Sequence, residues 1–149
     1  MQVNNLGVNG CTAQLYLDEF LIRRPLKYIG DYIFVMFGTN EIVFEKDINK
    51  IVKEINKTIS YIRQLKAKKV FFINISNVNG RVDRNNDFID KCEKVFRTDI
   101  EADKIISTKL LNDEFGWLNK EYTYDGLHLN EKGYKRLLEI IEGEVCDEI

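Results

Sequence analysis

His128 is the only histidine in a chain of 149 residues, and Asp125 stands three positions before it in the stretch Thr123-Tyr124-Asp125-Gly126-Leu127-His128-Leu129-Asn130. Imidazole is the side chain whose charge ordinarily changes near neutral pH, so acid–base chemistry by a histidine falls to this residue. An aspartate three residues earlier on a glycine-containing turn can fold back and accept an imidazole N–H. That contact fixes the tautomer and stabilises the imidazolium formed when the other ring nitrogen takes a proton. Such a pair supplies two of the three groups of a hydrolytic triad and leaves the nucleophile to be found. Taken alone, the same residues also fit a plain turn, with Asn130 capping the next helix and His128 a structural residue.

Two further polar motifs precede it. Asn5-Leu6-Gly7-Val8-Asn9-Gly10 follows Gln2-Val3-Asn4, and Gly38-Thr39-Asn40-Glu41 follows the apolar run Tyr32 to Phe37. Asparagine and glycine are ordinary residues for a strand-to-helix turn, and a loop that cradles phosphate looks much the same. A nucleotide-binding reading therefore competes, but it gives no reason for the Asp125 and His128 pair.

The elements that position these motifs follow from hydrophobic spacing. Between Asp47 and Lys66 the residues Ile48, Ile51, Val52, Ile55, Ile59, Ile62 and Leu65 recur three or four apart, which predicts a helix with one core-facing side. Similar spacing predicts helices over 12–23, 86–98 and 131–144. Short apolar runs lie between them: Tyr32 to Phe37, Val70 to Ile75 and, more weakly, Lys104 to Ser107. Runs without alternation indicate strands buried on both faces. With Gln2-Val3-Asn4 as the tail of a first strand, strands and helices alternate through residues 1–149, which predicts one α/β domain with a parallel sheet between helical layers. Pro25 marks the turn after the first helix. Ligands in such sheets bind outside the carboxyl ends of the strands, where all three polar motifs fall.

Composition narrows the partners. The 22 basic and 24 acidic residues are interspersed and give a net charge of −2, so no basic stripe exists to follow a phosphate backbone, and nucleic acid is not expected. No apolar run approaches the ~18 residues of a membrane span, and the N-terminus lacks a signal-peptide pattern. Cys11, Cys92 and Cys146 are far apart and without the paired spacing of a metal or redox motif, which points to free thiols, a reducing cytoplasmic setting and no bound metal.

In this order the three motifs resemble those of the SGNH or GDSL-type hydrolases, serine esterases and lipases with a flavodoxin-like fold, whose second, third and fifth blocks read N-x-G-x-x-G, G-x-N-D and D-x-x-H. The resemblance runs from Asn5 to about Tyr134 and is most specific from Asp125 to Tyr134. It implies a cofactor-free hydrolase of an acyl or acetyl ester, including carbohydrate O-acetyl esters, with a small-molecule or glycan substrate. It also implies that Gly10 offers a backbone N–H and Asn40 a side-chain N–H to the oxyanion, while Asp125 orients His128 as general base and acid. An amide donor aimed at developing negative charge lowers such a barrier by roughly 3–4 kcal/mol.

Two departures stand out. Position 41 is Glu where the family has Asp, which leaves the donor Asn40 in place and alters only support of the turn. The family's first block, G-D-S, supplies the serine, and the sequence meets the pattern at the second block. The serines present are Ser60, Ser76 and Ser107. Only Ser76 falls at a strand's carboxyl end, without the G-D context, and Cys11 beside Gly10 is the other nucleophilic side chain near a motif. The nucleophile is thus unassigned, and the chain alone is expected to be nearly inactive. In the family's sheet the first strand lies between the second and third, so its loss leaves unpaired backbone groups at about 1–3 kcal/mol each. The chain is then a fragment, or the sheet closes over the gap, or another chain pairs there and makes an oligomer through a sheet edge. A non-catalytic derivative that binds an acylated or glycan ligand, or scaffolds a partner, is the alternative function.

Overall fold

The computed structural model describes residues 3–24 and 26–149. Three strands, β1 (Tyr32–Val35), β2 (Lys69–Ile73) and β3 (Lys104–Ile106), form a parallel sheet in the order β1-β2-β3. Ile33 lies opposite Val70, and Phe72 opposite Ile105. The central strand alternates its side chains between two cores, which is why its sequence carries no polar residue after Lys69. Val70 and Phe72 join one core with Leu17, Ile51, Ile55 and Phe96. Phe71 and Ile73 join the other with Ile106, Leu118, Leu137 and Ile140.

Among the described residues the α-helices are α1 (Ala13–Tyr16), α2 (Glu41–Phe44), α3 (Ile48–Gln64), α4 (Asn86–Asp99) and α5 (Glu131–Val145). Their starts are set by side-chain caps that satisfy first-turn N–H groups. Thr12 accepts from Leu15 N, Asp47 from Asn49 and Lys50 N, Asn85 from Phe88 N, and Asn130 from Gly133 N. α3 buries Ile51, Ile55, Ile59 and Ile62 along one stripe and stops after Leu65, where Lys66 takes a left-handed conformation (φ 65°). The long helices expected from periodicity are therefore present. The first differs, since α1 runs for one turn and continues as wider π turns through Leu17–Ile22, with Leu17 and Leu21 still buried.

The expected first strand is the main correction. Gln2 lies outside the described residues, and so does Pro25; Val3 and Asn4 form no strand. Residues 3–10 are all exposed, and the sheet does not close over the expected gap. Consequently β1 has a strand neighbour on one side only among the described residues. Phe34 stacks on Phe71 at 4.9 Å between ring centres yet remains 39% exposed, and Met36 is 42% exposed. The α5 side of the sheet is thus sealed over β2 and β3 and open over β1.

Candidate active site

The turn from Thr123 to Asn130 folds on itself. Asp125 Oδ1 accepts from the backbone N–H groups of Leu127 at 3.0 Å and His128 at 2.8 Å. Its other oxygen, Oδ2, lies 2.8 Å from His128 Nδ1. Asp125 cannot donate when ionised, so the ring holds its proton on Nδ1 and presents Nε2 as the acceptor. These bonds hold the Asp125 carboxyl well below the usual carboxylate range, the imidazole contact first and the backbone donors next. Thr123 closes the turn, its hydroxyl donating to His128 O at 2.7 Å and accepting from Gly126 N at 2.9 Å. Gly126 has φ 83°, and a Cβ there would meet Asn79 O at 1.8 Å. Only glycine fits, because the turn is pressed against the loop that follows β2 and its carbonyl accepts from Asn79 N at 2.8 Å.

Asn40 is tied to the loop that carries Gly10. Asn40 Nδ2 donates to Cys11 O at 3.0 Å, tying the turn after β1 to the residue next to Gly10. The amide nitrogen carries two hydrogens, so this bond leaves one available. Glu41 does more than the expected local support. Its carboxylate, 3% exposed, accepts from Gly38 N at 2.8 Å and from Ala13 N at 2.6 Å, locking that turn to the start of α1. Gly38 (φ 111°) is equally constrained, since a Cβ would lie 2.7 Å from the Ile75 side chain.

None of the considered nucleophiles hydrogen-bonds to the His128 ring among the described residues, where Asp125 is the ring's partner. Ser60 is exposed on α3, Ser76 is buried after β2, and Ser107 Oγ accepts from Lys109 N at 3.3 Å. Cys11 donates weakly to Thr12 O at 3.4 Å, and burial, with the Glu41 charge behind it, pushes its thiol up from the ordinary range. A thiol so placed disfavours the thiolate needed for attack. Next to the Asp125 turn a cavity of about 290 Å³ is lined by Asn79, Lys120, Thr123, Tyr124 and Gly126.

Sequence reasoning passed over three residues of this neighbourhood. Arg81, Asp83 and Arg84 sit in the loop after β2 and reach both halves of the site. Their signal was the alternating charge of Arg81-Val82-Asp83-Arg84, in a segment that carries no family motif.

The chain is an α/β domain with a parallel sheet, and Asp125 holds the His128 imidazole on a closed turn. The chain belongs to the GDSL-like Lipase/Acylhydrolase family, whose model matches residues 1–136. It is 34% identical over 154 aligned positions to an N-acylneuraminate cytidylyltransferase of Escherichia coli, covering 99% of this chain and 35% of that protein. The chain thus spans about a third of the length of that relative. Among solved structures it is similar to a candidate platelet activating factor protein from Streptococcus pneumonia, with a TM-score of 0.75 and 26% identity over 91% of this chain and 69% of the other. It also shares its fold with a GDSL-like lipase from Bacteroides thetaiotaomicron, with a TM-score of 0.68 and 17% identity over 94% of this chain and 73% of the other. Among the described residues no helix is long and apolar enough to cross a membrane.

Proposed function

We propose that this domain hydrolyses an acyl ester, most simply an acetyl ester on a sugar, through a serine acyl-enzyme. His128 Nε2 removes the proton from the serine hydroxyl as oxygen attacks the ester carbonyl, and Asp125 stabilises the imidazolium. Gly10 N–H and the free Asn40 amide hydrogen bind the oxyanion. The imidazolium then protonates the leaving alcohol, and water attacks the acyl-enzyme by the same route in reverse. The observation that carries this reading is the 2.8 Å contact of His128 Nδ1 with Asp125 Oδ2, which leaves Nε2 unpaired among the described residues and the side chain 63% exposed.

The serine belongs to a segment that adds to the open edge of β1, beside the exposed Phe34 and Met36. A second chain pairing at the same edge gives the oligomer expected from the sequence. The similarity to an N-acylneuraminate cytidylyltransferase makes an O-acylated acidic sugar the first substrate to try. The cysteines, all free, suit a reducing compartment.

Hydrolysis of nitrophenyl acetate and of an O-acetylated N-acylneuraminate tests the proposal, with this chain, a fusion that adds a G-D-S strand segment ahead of Met1, and the His128→Ala variant of each. Losing the serine typically costs about 10⁶-fold, so this chain should be close to background and the fusion active only with His128. Equal inertness of both proteins overturns it. The second reading, a non-catalytic binding derivative, is favoured by the lack of a hydroxyl or thiol on the His128 ring among the described residues. It predicts binding of the acylated sugar without turnover.

A further inference from the structure

The loop after β2 contains a continuous chain of ion pairs between the two halves of the site. Arg81 meets Asp83 fork to fork, Nε to Oδ1 at 2.8 Å and Nη2 to Oδ2 at 3.0 Å. Its remaining nitrogen, Nη1, lies 3.7 Å from Asp125 Oδ2, the same oxygen that bonds His128 Nδ1. On the other side of Asp83 stands Arg84, whose side chain is 7% exposed and pairs with the same carboxylate. Arg84 Nε donates to Thr39 O at 3.3 Å, one residue before Asn40. The path thus runs from the Asn40 turn through Arg84, Asp83 and Arg81 to Asp125 and His128.

Three backbone anchors hold this loop still. Asn79 N donates to Gly126 O at 2.8 Å, Asn79 Nδ2 donates to Leu118 O at 2.8 Å, and Asn86 Oδ1 accepts from Val78 N at 2.8 Å. A bidentate guanidinium–carboxylate pair adds direction to the attraction, which a single surface ion pair lacks. The hydrogen bonds from Arg81 pull the Asp83 carboxyl down to about 2, so the pair stays fully charged across the working range.

We propose that Arg81, Asp83 and Arg84 are positioning residues that lock the Asn40 turn to the Asp125–His128 turn and set how much of the Asp125 charge His128 receives. The proposal rests on reading His128 as the base, but it is tested without catalysis. The Arg81 guanidinium and the His128 imidazole face the same Asp125 oxygen, so the cation draws on the contact that orients the ring. Asp83 restrains Arg81 from moving fully onto Asp125 and displacing the imidazole. Other charged groups near this turn are Lys120, which lines the cavity beside Gly126, and Glu121, whose carbonyl accepts from Asn130 Nδ2 and whose carboxylate pairs with Lys132.

Because His128 is the only histidine, its ring resonances are assigned without ambiguity and can be followed through a pH titration. The titration compares the parent chain with Arg81→Met, Arg81→Lys and Asp83→Asn. Arg81→Met should move the His128 midpoint upward, and Arg81→Lys, which keeps the charge, should return it toward the parent. Asp83→Asn should move it downward, since a negative charge is lost and Arg81 is released toward Asp125. Arg84→Met should shift the Asn40 side-chain amide resonances, a readout that core loosening elsewhere would not select. A midpoint unmoved or lowered by Arg81→Met, or the same sign of shift for Arg81→Met and Asp83→Asn, overturns the proposal. Should Arg81→Met fail to fold, the downward shift in Asp83→Asn carries the test. Failure of the ester-hydrolysis reading would leave these shifts in place.

Discussion

The turn from Thr123 to Asn130 and the loop from Asn5 to Gly10 present the same kinds of residue, yet they are built in opposite ways. In the turn, Thr123 and Asp125 side chains satisfy the backbone N–H groups of Gly126, Leu127 and His128, and Asn130 starts the next helix. In the loop every residue is exposed, and its internal ties are Asn5 Oδ1 accepting from Gly7 N and a 3.4 Å contact from Cys11 N to Val8 O. The difference teaches where each half of the site gets its geometry. An acid–base pair three residues apart can be shaped by one hydrogen-bonded turn. An exposed loop such as Asn5 to Gly10, proposed to bind the oxyanion, depends on what packs beside it, and β1 is an open edge among the described residues.

The same contrast of closed and open regions runs through the sheet, and truncating one phenylalanine from each gives the largest expected effect. Phe72 is fully buried on β2 and meets Phe96 edge to face, so Phe72→Ala should cost about 3–5 kcal/mol in urea unfolding. Phe34 on β1 is 39% exposed, and Phe34→Ala should cost about 1–2 kcal/mol in this chain, since part of its surface already meets water. Equal costs would mean that β1 is covered and that no segment is needed beside it. In a protein that pairs a further strand with β1, the Phe34 cost should rise toward that of Phe72.

Gly126→Ala comes next. It combines a strained φ of 83° with a Cβ driven into Asn79 O, and should cost about 2 kcal/mol or more. The sharper readout is local: the His128 ring signal should lose its Asp125-bonded position while the α3 amides stay unchanged. Gly10→Ala shares the positive φ, at 70°, but meets nothing within 4 Å. It should therefore cost about half as much or less, which again separates the closed turn from the open loop. Of similar size, Asn130→Ala removes the cap of α5 and should cost about 1 kcal/mol.

Much of this architecture was legible because it is local. The isoleucines of α3 repeat at helical spacing, Tyr32 to Phe37 and Val70 to Ile75 are apolar without alternation, and Asp125 lies within reach of His128 along a single turn. What was not legible is long-range. Glu41 reaches Ala13 across 28 positions, and Arg84 reaches Thr39 across 45. Nothing in the types of those residues names their partners, and so the loop carrying Arg81, Asp83 and Arg84 read as a segment without a motif. The first strand failed for the complementary reason. Val3 has the right type for a strand, but a strand exists only through a neighbour's backbone, and no such pairing forms at Val3 or Asn4.

The mildest expected effect separates the two regions by chemistry. Asp83 and Asp125 have folded-state affinities for protons well below those of an unfolded chain, Asp83 at about 2, because donors surround their carboxylates. A depressed carboxyl contributes stability above its unfolded value and loses it as pH falls toward its folded value. The turn and its Arg81 clamp should therefore loosen progressively between about pH 4 and about pH 2, and do so less steeply in Asp83→Asn. The loop from Val3 to Gly10 contains no titratable side chain, so the same acidification should leave its amide spectrum flat until the domain itself unfolds. Added salt screens these exposed pairs and should shrink the acid effect on the turn without touching the loop. If turn and loop respond to acid together, the two halves of the site are coupled more tightly than the Arg84 contact to Thr39 provides, and the contrast drawn between them fails.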